Sequence, residues 1–382
     1  MTVYFLFQIY SLQKDLSGQS DITVDGIYSY ATQQDAVSLQ KHFRDDDNIA
    51  QAQGDLIYER QRAFIPGNRE PCEASDVSSM SSSSKSEIYR LIGPHKQIGY
   101  DVLKHITDNF HVGDLAQGGR VVGTGGFGDV FLGLFDNGLK VAVKRLKDVD
   151  EVDKQFQNEL ENLTKYRHQN IVCLYAYCVE GPARCLVYEY MVNGSLEDRL
   201  HCRGGTPPLT VSTRLQILTG TAQGIAFLNG QGIVHRDIKS ANVLLDEDFQ
   251  AKVGDFATAR GGPQGNATVP LSASVVIGTS AYLAPEAMNF DVSTKLDAFS
   301  FGIVILEVLT ALAAMDTDRE DRDLKSHVEE NGIEDMLDNS GGKWPDGVVD
   351  KLYRIFEKCT YKKKQRANVT DIIVELLEAC SC

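Results

Sequence analysis

The stretch Val141-Ala-Val-Lys-Arg-Leu146 decides the fold of this chain, and Lys144 is its central residue. The glycine-rich run Gly123-Thr-Gly-Gly-Phe-Gly128 lies upstream, and His235-Arg-Asp237 and Asp255-Phe256 follow far downstream. A G-x-G-x-x-G run alone also occurs in dinucleotide-binding folds. The full set in this order rarely arises by chance, so the set indicates one type of fold.

In this order the motifs resemble the signature set of protein kinases. The chain resembles serine/threonine protein kinases, and within them the interleukin-1-receptor-associated kinases and their Pelle-like relatives. The resemblance implies an α+β, bilobal protein-kinase fold over residues 98–380. It places a small β-rich N-lobe at about 115–191 and a larger helical C-lobe at about 192–380.

The segment Cys185-Leu-Val-Tyr-Glu-Tyr-Met191, followed by Asn193-Gly-Ser-Leu-Glu-Asp-Arg-Leu200, narrows the resemblance. Tyr188 occupies the position that controls access to the back of the ATP pocket in this fold. Tyrosine there is characteristic of the interleukin-1-receptor-associated kinases, whereas plant receptor-like kinases resemble the domain but generally lack it. The resemblance therefore implies a kinase of Toll or interleukin-1-type innate immune signalling.

Composition indicates the broad class of protein. The 382 residues are 42% hydrophobic, which is enough for a two-lobed domain and an extension. The net charge of −15 argues against general affinity for nucleic acid or anionic membranes. Eight cysteines without a C-x-x-C pair fit free thiols in a reducing compartment. The longest apolar run, Phe301 to Ala314, is shorter than the ~20 residues that span a bilayer, so we expect a cytoplasmic protein without membrane insertion.

The N-terminal part of the chain carries less information. Residues 1–74 lack the spaced amphipathic helices of a helical bundle, although the resemblance implies a death domain at this position. We expect a partly disordered extension or a truncated death domain, and the latter implies death-domain adaptor proteins as partners. Residues 75–97 begin with a serine-rich run that has too little apolar surface to fold, which predicts a flexible linker.

Periodicity and turn signals predict the elements of the N-lobe. Apolar residues at helical spacing predict a helix before the first strand: Tyr100, Leu103, Ile106 and Phe110. Asp136-Asn-Gly138 predicts a turn between two strands. A second helix is expected from about Asp150 to Tyr166, and further strands at Ile171 to Tyr175 and Cys185 to Tyr190. Ser195 is expected to cap a short helix.

The glycine cluster would let the backbone approach the phosphates of ATP without side-chain clashes. The resemblance assigns Val130 and Ala142 to adenine packing, Met191 to the hinge and Leu244 to the pocket floor. Its full set of nucleotide contacts is Val122, Gly123, Thr124, Gly125, Gly126, Phe127, Gly128, Val130, Ala142, Lys144, Tyr188, Met191 and Leu244. ATP and Mg²⁺ are the implied cofactors, and protein substrates are the implied acceptors.

Lys144 is implied to hold the α- and β-phosphates, and its position requires a carboxylate from the helix that follows. The resemblance favours Glu159 as this partner, because Gln157-Asn-Glu-Leu160 aligns with the family's motif there. Glu161 is the competitor, but it points to a different helical face. Asp237 is implied to accept or orient the proton of the substrate hydroxyl, and Lys239 to steady the γ-phosphate. Lysine at 239 is typical of serine/threonine kinases.

The implied magnesium ligands are Asn242 and Asp255. Asp255-Phe256-Ala257 departs from the family pattern, in which glycine follows phenylalanine. Because glycine tolerates backbone angles that alanine resists, Ala257 is expected to bias the states of this loop without removing a catalytic group.

The activation segment runs from Asp255 to Glu286 and is rich in hydroxyl residues. Thr268, Ser272 and Ser274 are the candidate phosphorylation sites, and Arg236 would pair with a phosphate added there.

The resemblance also implies structural roles outside the chemistry. Asp297 is expected to hold the backbone around Asp237, and Arg366 to pair with Glu286. Four side chains are expected to stack between the lobes: Leu163, Leu174, His235 and Phe256. The alternative to an enzyme is a pseudokinase scaffold, which Ala257 favours and the retained catalytic residues oppose.

Overall fold

The structure, a computed structural model, describes residues 96–380 except 114, 116–117, 127, 148–151, 263–268, 271–279 and 290. Residues 1–74 and 75–95 lie outside the described residues, as do Phe127, Thr268, Ser272 and Ser274. The described part includes most of both predicted lobes.

A six-stranded sheet forms the first lobe. Its strands are β1 (Lys96–Gln97), β2 (Val121–Thr124), β3 (Gly128–Leu134), β4 (Lys140–Leu146), β5 (Leu174–Cys178) and β6 (Cys185–Glu189). They are ordered β1-β5-β6-β4-β3-β2, with β1 parallel to β5 and the other neighbours antiparallel. Lys96 and Gln97, predicted to belong to the flexible linker, are therefore part of this sheet.

The predicted turn between β3 and β4 is confirmed. Gly138 lies at φ 86°, a left-handed conformation that glycine adopts readily. The backbone N–H of Leu139 donates to the side chain of Asn137 at 3.1 Å. The turn sets the register of the two strands, in which Val130 lies opposite Lys144.

Helix α1 (Tyr100–Ile106) packs on this sheet and is shorter than the periodicity predicted. Phe110 follows the helix at φ 55°, so the left-handed backbone has already ended it. The Phe110 ring still packs against Phe131, with centroids 5.3 Å apart. The Arg145 guanidinium lies 4.7 Å from the Phe110 ring centroid, which adds a cation–π contact.

Helix α2 (Val152–Lys165) begins and ends close to its predicted bounds, with Phe156 and Leu163 buried. The strand predicted at Ile171 to Tyr175 is displaced, because β5 begins only at Leu174. Ile171 instead forms a bridge with Val253, and the Val172 N–H donates to the Val253 carbonyl at 3.0 Å. The chain between α2 and β5 is therefore attached to the second lobe.

The second lobe is mainly helical. Its helices are α3 (Leu196–Leu200), α4 (Val211–Gly230), α5 (Lys295–Thr310), α6 (Leu324–Asn331), α7 (Val348–Thr360) and α8 (Val369–Cys380). Three short antiparallel pairs join β7 (Ile233–Val234) to β10 (Arg260–Gly261), β8 (Val243–Leu245) to β9 (Ala251–Val253), and β11 (Val269–Pro270) to β12 (Asp291–Val292). Single 3₁₀ turns lie at Arg203–Gly205, Ser240–Asn242, Ser280–Tyr282, Pro285–Asn289 and Glu334–Met336.

Helix α5 forms the centre of this lobe, since its residues from Leu296 to Thr310 are all buried. The apolar run from Phe301 to Ala314 is helical only as far as Thr310, because Ala311 lies at φ 52°. The predicted cap of α3 is confirmed, with the Ser195 hydroxyl accepting from the Asp198 N–H. Among the described residues, no helix is both long and apolar enough to cross a membrane.

Glu307 is a carboxyl group inside α5 with only 2% of its surface exposed. Its Oε1 atom accepts hydrogen bonds from the hydroxyls of Ser240 and Tyr282, both at 2.7 Å. Burial disfavours the charged form and raises the pKa of Glu307 to about 8, and the nearby charge of Glu197 acts in the same direction. Glu307 therefore keeps its proton in the folded protein at pH values where an exposed glutamate is ionised.

This buried carboxyl predicts a pH dependence of stability. The pKa of Glu307 rises from 4.5 to about 8 on folding. The contribution of this group to the free energy of unfolding is therefore complete below about pH 4.5 and is lost progressively as pH rises towards 8. Glu307→Gln should flatten that part of the decline in the free energy of unfolding, measured by urea denaturation at several pH values. The exposed variant Glu334→Gln is the control, and equal slopes for wild type and Glu307→Gln would contradict the prediction.

Candidate active site

A cleft of about 680 Å³ lies between β2, β3 and β4 on one side and the Ser240–Asn242 turn with β8 on the other. Every described residue of the predicted nucleotide set lines it: Val122, Gly123, Thr124, Gly125, Gly126, Gly128, Val130, Ala142, Lys144, Tyr188, Met191 and Leu244. Glu159, Lys239, Asn242 and Asp255 also line the cleft, whereas Asp237 does not. The structure thus brings together residues that lie up to 133 positions apart, from 122 to 255.

Lys144 lies between two carboxylates. Its ammonium nitrogen is 2.8 Å from Glu159 Oε2 and 2.8 Å from Asp255 Oδ1. Burial disfavours the charged ammonium, but the charges of Asp255 and Glu159 outweigh burial and hold the pKa of Lys144 above its usual value. The charge of Lys144 likewise outweighs burial at Asp255 and lowers the pKa of that carboxyl. Lys144 and Asp255 are therefore both ionised at neutral pH.

Glu159, and not Glu161, is the partner of Lys144, as the sequence predicted. Glu161 lies on an exposed part of α2, where its Oε1 accepts from Gln157 at 2.8 Å. Glu159 is 1% exposed, and its Oε1 accepts from the Tyr188 hydroxyl at 2.7 Å and from the Phe256 N–H at 3.3 Å. The glutamate is thus fixed from three directions, and sequence reasoning had found only the contact with Lys144.

Asp237 lies beside the cleft, next to the lining residues Lys239 and Asn242, and is 6% exposed. Its Oδ2 accepts from the Lys239 ammonium at 2.8 Å and from the Asn242 amide at 2.9 Å. The Asn242 amide nitrogen also donates to the Asp237 carbonyl at 2.8 Å. Three residues predicted to act together are therefore joined by direct hydrogen bonds.

The predicted support from Asp297 is confirmed. Its Oδ2 accepts from the His235 N–H and its Oδ1 from the Arg236 N–H, both at 2.9 Å. Arg236 lies at φ 72°, an unusual backbone conformation that these two bonds help to hold. Asp297 projects from the buried helix α5, so the position of the Asp237 loop follows from the core of the second lobe.

The predicted stack between the lobes is also present. Leu163, Leu174 and Phe256 share one buried cluster, and the rings of His235 and Phe256 meet edge to face with centroids 4.9 Å apart. The predicted pair between Arg366 and Glu286 is present as two hydrogen bonds. These contacts connect α2, the Asp237 loop and the Asp255 segment.

Asn242 and Asp255 fit a Mg²⁺ ion by their donor chemistry. Both offer oxygen, the donor that this cation prefers. The amide nitrogen of Asn242 is held by Asp237, which leaves its amide oxygen as the atom that would ligate a cation. No group of three or more His, Cys, Asp and Glu side chains within the described part of the chain could hold a metal alone. Further ligands would have to come from outside these side chains.

Ala257, the departure from the family pattern, is accommodated without strain. It is 7% exposed and is absent from the described residues with positive φ, so its backbone does not need glycine. Asp255 is the residue of this motif that takes a left-handed conformation, at φ 61°. The expectation that Ala257 biases the balance between loop states concerns more than one conformation and stays a prediction.

Several residues at the mouth of the cleft escaped sequence reasoning. The Arg203 guanidinium donates to Asp198 at 2.8 Å and to Glu197 at 2.7 Å, and all three line the cleft. The sequence carries no motif for this trio, although the charge pattern of Glu-Asp-Arg-Leu-His-Cys-Arg offered a weak signal.

Residues 116–376 match the family model for protein tyrosine and serine/threonine kinases. Because this match covers more than half of the chain, the chain belongs to the protein kinase family. The sheet of the first lobe and the helices of the second agree with the predicted bilobal α+β fold.

The relatives specify the kind of kinase. The Pelle-like serine/threonine-protein kinase pik-1 of Caenorhabditis elegans is 40% identical over 275 residues, which cover 68% of this chain and 56% of that protein. The LRR receptor-like serine/threonine-protein kinase IOS1 of Arabidopsis thaliana is 42% identical over 304 residues, which cover 75% of this chain and 32% of that protein. The Pelle-like resemblance is thus confirmed, and the chain spans only about a third to a half of the length of these relatives.

Removing Lys144 should destabilise the protein as well as alter the site. Lys144→Met would leave Glu159 and Asp255 without their shared cation, and breaking a buried ion pair in this way costs about 3–5 kcal/mol. Protonation of either carboxyl relieves this, so the loss should be larger at pH 8 than at pH 5, measured by urea denaturation. Adding Glu159→Gln should restore part of the lost stability. If Lys144→Met alone is as stable as wild type at pH 8, the ion pairs contribute little to stability.

Proposed function

We propose that this protein is an ATP- and Mg²⁺-dependent serine/threonine protein kinase. The observation that carries the proposal is the arrangement of Lys144 between Glu159 and Asp255, facing a cleft that the glycine-rich strands cover. Structural ion pairs also shift pKa values, but here the two groups with shifted pKa values, Lys144 and Asp255, line one cleft. The pseudokinase alternative draws on Ala257, which removes no catalytic group, and it is opposed by the retained catalytic residues: Lys144, Glu159, Asp237, Asn242 and Asp255.

The nucleotide would bind with its base against Val130 and Ala142 and its phosphates beneath the glycine run. Lys144 would hold the α- and β-phosphates, because its ammonium is already fixed by Glu159. When bound, Mg²⁺ neutralises phosphate charge, and Asn242 and Asp255 would hold it. Tyr188 narrows the back of the cleft because its hydroxyl is bound to Glu159.

Asp237 would orient the acceptor hydroxyl and take its proton at Oδ1 or Oδ2. Lys239 and Asn242 both bond to Oδ2, so they help to fix the orientation of the carboxylate towards the incoming hydroxyl. Lys239 also carries a positive charge to the place where negative charge develops on the transferred group. Asp237 would move only the proton, while the positioning of both reactants supplies most of the rate enhancement.

The cellular role that we propose is signalling downstream of Toll or interleukin-1-type receptors in the cytoplasm. Support comes from the Pelle-like relative and from Tyr188, which resembles the interleukin-1-receptor-associated kinases. Protein substrates would supply the hydroxyl acceptors, and death-domain adaptors would be the partners if residues 1–74 form a death domain. The plant receptor-like relatives share the kinase region and do not by themselves favour this pathway.

Asp237→Ala tests the chemistry. The variant should lose transfer by about 10²–10⁴-fold, because a general base contributes that much, while its affinity for ATP-Mg²⁺ stays near wild type. The measurements are phosphate incorporation into a basic protein and ATP binding by calorimetry. Asp248→Ala, which removes an exposed carboxylate that does not line the cleft, is the matched control. If purified wild-type protein shows no transfer that Asp237→Ala removes, the scaffold alternative is favoured instead.

The candidate phosphorylation sites predict activation with time. A phosphate on Thr268, Ser272 or Ser274 brings a charge near −2. Burial and the nearby charge of Arg260 lower the pKa of Arg236, which shows that the two guanidinium groups lie close together. Both would attract the phosphate. Activity should rise with time and protein concentration after ATP-Mg²⁺ is added, and replacing all three residues by alanine should remove the rise but keep a basal rate. A triple variant that activates with the same lag would exclude them as the switch.

A further inference from the structure

Asn158 lies beside Glu159 on α2 and faces the segment that carries Asp255. Its amide nitrogen lies 3.1 Å from the carbonyl oxygen of Phe256, 2.9 Å from that of Ala257 and 2.7 Å from that of Ala259. One side chain thus contacts three backbone carbonyls of a segment about 100 positions away in the sequence. Nothing in the motif pattern singled this residue out.

The amide of Asn158 has a defined orientation. Three carbonyl oxygens converge on one end of the side chain, and only the NH₂ group can donate to them. With the amide reversed, its own oxygen would face three others of the same partial charge. Asn162, one turn later and 9% exposed, donates to the Asn158 backbone carbonyl at 2.8 Å and lies 3.4 Å from the Ala259 carbonyl. The second asparagine therefore reinforces the same contact.

Consecutive residues of α2 hold both sides of Phe256. Glu159 accepts from its N–H at 3.3 Å, and Asn158 donates to its carbonyl at 3.1 Å. Asp255 precedes this residue directly, lies at φ 61° and accepts from the Lys144 ammonium at 2.8 Å. A segment with one left-handed residue returns to relaxed backbone angles unless its neighbours fix it. The contacts of Asn158 supply that restraint on the C-terminal side of Asp255.

We propose that Asn158 is a positioning residue, which couples the placement of α2 to the conformation of residues 255–259 and thereby holds Asp255 against Lys144. The expected effect on phosphoryl transfer rests on the proposed kinase function, whereas the coupling between α2 and residues 255–259 is a property of the fold. Ala257 takes part in this coupling through its backbone, because its carbonyl is one of the three acceptors of Asn158. In this conformation the segment is therefore fixed through α2.

The test compares Asn158→Ala with Gln157→Ala in the full chain. Both changes remove an amide from the same helix, but Gln157 is exposed and bonds only to Glu161 among the contacts that the structure describes. Alanine favours a helix more than asparagine does, so α2 itself should not loosen. Losing one or two net hydrogen bonds predicts about tenfold faster hydrogen exchange of the amides at Phe256 to Arg260. The Gln157→Ala control should exchange like wild type.

Turnover adds a second readout that a general loss of stability would not reproduce. In Asn158→Ala, kcat for transfer should fall by about tenfold while the affinity for adenosine, which has no phosphates, stays unchanged. Asn158→Ser keeps one donor, so its hydrogen exchange and its kcat should fall between those of wild type and Asn158→Ala. If Asn158→Ala does not fold, Asn158→Ser takes its place in the comparison.

Unchanged exchange at Phe256 to Arg260 in a folded Asn158 variant would overturn the proposal. Equal effects of Asn158→Ala and Gln157→Ala would overturn it as well, because they would reflect α2 in general. A wild-type protein without transfer, combined with faster exchange in Asn158→Ala alone, would refute the kinase function and leave the coupling by Asn158 intact.

Discussion

The site depends on one buried cation that two carboxylates share. Lys144 comes from β4, Glu159 from α2 and Asp255 from the loop after β9, so a single ammonium group links three separate parts of the chain. Two carboxylates this close would repel each other without the lysine between them, and burial strengthens that repulsion. The positions of the helix, the sheet and the Asp255 segment are therefore set together, and a shift in one element costs contacts in the other two.

Sequence reasoning singled out all three residues because each lies in a motif with a fixed spacing, but it assigned only Glu159 to Lys144 and expected Asp255 to bind Mg²⁺. Glu159 was separated from Glu161 by helical geometry, and the structure agrees. The β4 strand and the turn at Gly138 followed from local signals that tertiary packing did not override. The described residues predicted to contact nucleotide gather in one cleft, although their roles there stay proposals.

What the sequence could not predict depends on contacts between distant segments. Helix α1 ends before Phe110 because the chain turns left-handed there, while periodicity still counted that residue as helical. Ile171 pairs with Val253 across the lobes, which moved β5 from its predicted place. Asn158 carries no pattern of its own, since the carbonyls that it binds are backbone atoms common to every residue. Ala257 does not take a left-handed backbone in this conformation, and its expected effect on the balance of loop states stays a prediction.

The identity of the acceptor tests the account most directly. Purified full-length protein would be incubated with radiolabelled ATP, Mg²⁺ and three matched basic peptides that differ only in carrying serine, threonine or tyrosine, followed by phosphoamino-acid analysis. The arrangement of Asp237 with Lys239 predicts phosphoserine and phosphothreonine, formed only while Lys144 is present. Phosphotyrosine alone, or the same incorporation by a Lys144→Met protein, would contradict the account.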